Sequence, residues 1–187
     1  MCRLSRCFKL VVSVFMLYMV FGSALSYADS THDLLNAAYN GRADVVNALL
    51  DRGVGVNSED TNGRTALMTA SINGKNEIVR LLISRGASIN ARDNKNSTVL
   101  HAAALKGHVE TIRLLLNYGA DIYAKANHNM TVLMLAAVGG SPETVRLLIE
   151  EGADINARAE NGKTALTFAY EAGFSEIVRI LQQAGAM

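Results

Sequence analysis

One period governs this chain. Gly41, Gly74, Gly107, Gly140 and Gly173 lie 33 residues apart, and Gly53, Gly86, Gly119, Gly152 and Gly185 keep the same step. Thr65, Thr98, Thr131 and Thr164 repeat in phase with them, as do Leu34, Leu67, Leu100, Leu133 and Leu166. Alanine recurs at 37, 70, 103, 136 and 169. Val46, Val79, Ile112, Val145 and Val178 fill another slot, and Leu49, Leu82, Leu115, Leu148 and Leu181 a further one. A fixed period of this length marks a stacked repeat. A single unit cannot bury its own apolar face, so the core has to come from five units packed in a row.

Each unit decodes into local structure. The stretch Thr65–Ala70 opens a short helix, and the threonine hydroxyl is placed to cap its start. Gly74 ends it, at a position where a left-handed backbone costs glycine little. Residues 77–84 make a second helix with Ile78, Val79, Leu81, Leu82 and Ile83 as its apolar positions, and Gly86 closes it. Ser88 to Ser97 is polar, rich in asparagine and turn-like. The expected fold is therefore an all-α solenoid of five helix-turn-helix repeats joined by β-hairpin-like fingers. Their bounds fall near 30–59, 60–92, 93–125, 126–158 and 159–187.

The pattern resembles the ankyrin repeat, over roughly Ser30–Met187. That family's T-P-L-H-x-A signature has counterparts beginning at Thr65, Thr98, Thr131 and Thr164, and its G-A-D-x-N-A loop has counterparts beginning at Gly86, Gly119 and Gly152. Proline is replaced by Ala or Val in every repeat, and only His101 keeps the signature histidine. The ends depart from the pattern as caps do. His32 and Asp33 stand where other repeats have Thr and Ala or Val, and Gln182 takes the slot of Leu50, Ile83, Leu116 and Ile149. A solenoid complete at five repeats is the expectation.

The first 28 residues read as an address. Met1–Lys9 is basic, 10–21 is an apolar run, and Gly22–Ala28 is small and turn-prone, with Ser26 and Ala28 before a cleavage point at Asp29. These are the three parts of a secretory signal peptide. The run is shorter than the ~20 residues of a spanning helix. Removing Arg3, Arg6 and Lys9 from 18 basic residues leaves 15 against 17 acidic ones, a net of −2 for the body. That near-neutral body lacks the basic excess of a general nucleic-acid binder. Both cysteines, Cys2 and Cys7, fall in the leader, so the body has no disulfide or thiolate site. Two glycosylation sequons, at Asn96 and Asn129, favour a bacterial source, where they stay silent.

Motifs of catalysis and cofactor binding fail on context. Gly162-Lys163-Thr164 resembles the tail of a phosphate loop, but Ala157 stands where its first glycine is required. Gly53-Val54-Gly55 follows a helix rather than a strand. His32, His101, His108 and His128 have no metal-site spacing. Glu77, Glu110, Glu143 and Glu176 precede Arg80, Arg113, Arg146 and Arg179 by three residues, which predicts ion pairs within each second helix. No enzyme activity, cofactor or metal is expected.

Two ladders point to binding. Tyr39, Ile72, Leu105 and Val138 share one slot on the first helix, broken at Glu171. The resemblance implies that this row lines a concave groove. Arg92, Lys125 and Arg158 share a slot on the fingers, with Lys95 and Lys163 nearby, and would suit an acidic partner surface. The expected function is a monomeric, exported protein-binding module, periplasmic or secreted, engaging an unidentified protein and neither nucleic acid nor, once the leader is removed, membrane. The alternatives are a membrane-tethered scaffold that keeps residues 10–28 as an anchor, and a secreted effector acting on host proteins.

Overall fold

The computed structural model describes residues 30–187. The leader read at 1–28 and its junction at Asp29 lie outside the described residues. Residues 30–40 are helical and form α1. Then come α2 (Ala43–Asp51), α3 (Ala66–Ile72), α4 (Asn76–Ser84), α5 (Val99–Lys106), α6 (Val109–Asn117), α7 (Val132–Gly139), α8 (Pro142–Glu150), α9 (Ala165–Glu171) and α10 (Ser175–Gln183). They pair as five hairpins, one per repeat. First helices α3, α5, α7 and α9 pack in one layer, and second helices α2, α4, α6, α8 and α10 in another. The fingers between repeats close through isolated antiparallel bridges, Glu59 to Thr65, Arg92 to Thr98 and Lys125 to Thr131.

The repeated threonines start the first helices. Thr65 Oγ1 accepts from the Met68 amide at 3.3 Å, Thr131 Oγ1 from Met134 at 3.3 Å, and Thr164 Oγ1 from Thr167 at 3.4 Å. Gly107 and Gly140 end α5 and α7 with φ of 71° and 76°, the left-handed region that glycine enters without a Cβ penalty. The residue after each such glycine packs on the glycine one repeat earlier. A Cβ built at Gly140 would lie 2.6 Å from the Phe174 ring, and one at Gly74 3.0 Å from His108.

The periodic apolar slots form one core. Leu67, Leu100 and Leu133 on the first helices are buried, as are Leu82, Leu115, Leu148 and Leu181 on the second. The last repeat differs. Leu166 is half-buried and Gln182 is exposed, as expected at an end of the stack. Tyr170 is 76% exposed in the slot that Ala38, Ser71, Ala104 and Ala137 fill at 0% exposure. In those four repeats the next repeat covers the slot, and only a small side chain fits there.

The expected Glu/Arg ladder does not form. Among the described residues none of the four pairs closes within its own helix. Arg146 instead reaches forward to Glu176 of the next repeat at 3.2 Å. Pairs spaced i,i+3 on an exposed helix are worth only ~0.2–0.5 kcal/mol, so a carboxylate on the adjacent, stacked helix competes equally well. Arg85 likewise reaches back to Asp51 at 2.8 Å.

Asparagine clasps join successive repeats behind the second helices. Asn57 Oδ1 accepts from the Ser88 amide at 2.8 Å while its Nδ2 donates to the Gly86 carbonyl at 3.4 Å. Asn90 does the same with Asp121 and Gly119, and Asn156 with Met187 and Gly185. The third repeat has Tyr123 in this slot, 65% exposed, beside a small cleft of about 150 Å³. Tyr123→Asn should supply the missing clasp and raise the unfolding free energy by about 0.5–1.5 kcal/mol, the net worth of a hydrogen bond. Chemical denaturation checks it.

Candidate functional site

A groove runs between the fingers and the first-helix layer. A cleft of about 380 Å³ within it has Ile72, Ala102, Leu105 and Leu135 as its apolar lining. Asn94, Lys95 and Arg64 on two fingers form one wall, and Lys106 stands at the end of α5. The fingers hold their relative positions through backbone hydrogen bonds. The amides of Asn94, Asn127 and Glu160 donate to the carbonyls of Asn62, Lys95 and His128, each at 3.0 Å. Asn96 and His128 take the left-handed backbone, both at φ 59°, which sets the finger tips.

The four members of the apolar row differ in exposure. Tyr39, Leu105 and Val138 are 56%, 38% and 41% exposed, whereas Ile72 is half-buried. Ile72 and Leu105 share the cleft; Tyr39 and Val138 lie on the same row outside its lining. Glu171, at the end of the row, accepts from Lys163 Nζ at 2.7 Å. On the fingers, Arg92 Nη1 donates to the Lys125 carbonyl at 3.0 Å, tying two ladder members together. Arg158 folds back onto the Gly162 carbonyl at 3.0 Å. Leu135 and Ala102 escaped the sequence reading because they sit one turn before the row on the same helices. The signal was their shared slot, which also holds Thr69 and Phe168.

Two ionisable groups tune the wall. Burial pushes the Asp60 carboxyl up, but hydrogen bonds from the amides of Arg64 and Asn62, with the Arg64 guanidinium, outweigh it and hold the carboxyl below its ordinary value. Arg64 Nη2 sits 2.9 Å from Asp60. His101 is fully buried under the cleft. Its Nδ1 accepts from the Thr98 amide at 3.2 Å, and its Nε2 lies 3.2 Å from the Met130 carbonyl in the next repeat. Burial disfavours the imidazolium and lowers the pKa, against the Met130 carbonyl, which favours it.

The folded state thus binds fewer protons at His101 than the unfolded chain. The histidine's contribution to stability is fully present above the unfolded pKa of about 6.5 and is lost as pH falls from there toward the depressed folded value. Met68 and Met134 occupy the same slot in neighbouring repeats. His101→Met should therefore flatten the loss of stability below about pH 6.5. Denaturation midpoints of both proteins across that range test this; parallel curves would contradict it.

The 33-residue repeat has its counterpart in a known family. A family model described as ankyrin repeats, three copies, matches residues 34–126 and again 122–186. The chain belongs to the ankyrin-repeat family. No match is found among curated proteins. Ankyrin repeats are generally protein–protein interaction modules and typically non-enzymatic. Among the described residues of this ankyrin array, no three His, Cys, Asp or Glu side chains cluster as metal ligands, and no helix is long and apolar enough to cross a membrane.

Proposed function

We propose that this ankyrin array is a non-enzymatic module that docks a protein partner in its groove. In this reading Tyr39, Ile72, Leu105 and Val138 form the apolar strip of the site, and Arg92, Lys125 and Arg158 are the finger cations that add charge outside the cleft lining. The observation that carries the reading is the cleft at Ile72 and Leu105, apolar within and polar at its edge. An apolar core inside a polar rim is the usual anatomy of a protein interface. The repeats are preorganised, so docking orders little of the protein itself and loses little affinity to entropy. We place this activity outside the cytoplasm, on the order of basic, apolar and small-residue segments in 1–28.

Leu105→Glu tests the groove. The side chain is more than a third exposed, so the helical circular-dichroism signal and the unfolding midpoint should hold. Capture of the partner from native-host extract should weaken at least tenfold, or ~1.4 kcal/mol, as for a central anchor. Replacing Glu110 and Arg113 on the outer face should leave capture intact. The opposite pattern would remove the groove assignment.

A further inference from the structure

Charge around the third repeat is uneven. Its finger, first helix and the base of the next finger carry Arg92, Lys95, Lys106 and Lys125 against two carboxylates, Asp93 and Asp121. Asp93 Oδ1 already accepts from the Lys95 and Ser97 amides at 2.9 and 2.8 Å. The Arg92 guanidinium donates to main-chain carbonyls, which hold it in place without cancelling its charge. Among the described residues, the Lys95 and Lys106 ammonium groups have no carboxylate within 4.0 Å. Arg64, on the same finger wall as Lys95, is neutralised by Asp60. The two lysines thus border the Ile72–Leu105–Leu135 lining with unspent positive charge.

Resting on the groove reading, we propose that the cleft binds an acidic peptide segment of a protein partner. One apolar side chain of the segment enters between Ile72, Leu105 and Leu135, and flanking carboxylates pair with Lys95 and Lys106. The apolar lining supplies what a phosphate backbone cannot use, and charge complementarity at the rim selects partners and speeds their approach. Nucleic acid is disfavoured because its contacts are mainly a count of neutralised phosphates, whereas this cleft is walled by hydrocarbon and the body is net acidic.

The test selects phage-displayed random dodecapeptides on the immobilised full chain, with a labelled single-stranded oligonucleotide as a second probe. Enriched peptides should be net acidic around a Leu, Ile or Phe. Replacing that residue by Ser should weaken a synthetic copy at least tenfold, and added salt should weaken it too. Lys95→Glu with Lys106→Glu should abolish its binding, while Arg80→Glu with Arg113→Glu on the outer face should not. Enrichment of neutral or basic peptides, no enrichment, tighter binding of the oligonucleotide, or indifference to the double lysine change would each overturn the proposal. If any of these occurs while Leu105→Glu still disrupts capture of the native partner, the groove reading stands and only the acidic chemistry is wrong.

Discussion

Leu115→Ala should lower the unfolding free energy by about 2–5 kcal/mol, the cost of emptying a fully buried leucine site. Leu115 lies in α6 of the middle repeat with 0% exposure. Each repeat touches only its neighbours, so a cavity in the third weakens the unit on which both flanks stack. The cost stays near the top of the range if the packed second helices cannot collapse into the gap. Equilibrium denaturation measures it. A change below about 1 kcal/mol would mean that the second-helix register is misassigned.

Gly139→Val should be nearly as damaging for a different reason. A Cβ at Gly139 would lie 2.3 Å from the Leu105 carbonyl oxygen and 2.9 Å from its carbonyl carbon. No rotamer change relieves a clash with backbone, so α7 would have to move off α5. Overpacking of this kind costs about 1–3 kcal/mol. It would also shift the backbone that carries Leu105, and groove binding should weaken along with stability. The corresponding slots hold Asn40, Asn73, Lys106 and Ala172, so the close approach belongs to the third and fourth repeats. Denaturation and partner capture should both register the change; an unaltered midpoint would show that the helices are free to part.

What could be read from the sequence was whatever recurs within one repeat. The threonine caps, the left-handed glycines and the leucine rows are each set by neighbours a few residues away, and they appear where the period puts them. What escaped depends on the neighbouring repeat. The Glu/Arg pairs looked helical because the i,i+3 rule sees only its own helix, and Arg146 chose Glu176 across the stack. The asparagine clasps bind carbonyls 29 residues ahead, so the loss of one at Tyr123 passed as an ordinary substitution. The groove row was visible as a slot. Its depth was not, because Leu135 and Ala102 belong to the turn before it and join Ile72 and Leu105 only when three first helices lie side by side.

Site-specific photo-crosslinking addresses the groove most directly. A benzophenone amino acid would be placed at position 105 on the groove side or at 113 on the outer face, and the protein irradiated in the native host. The expected result is a discrete partner adduct from 105, absent from 113 and suppressed by Lys95→Glu with Lys106→Glu. An adduct from 113 with none from 105 would place the partner on the outer helices and contradict the groove as the binding face.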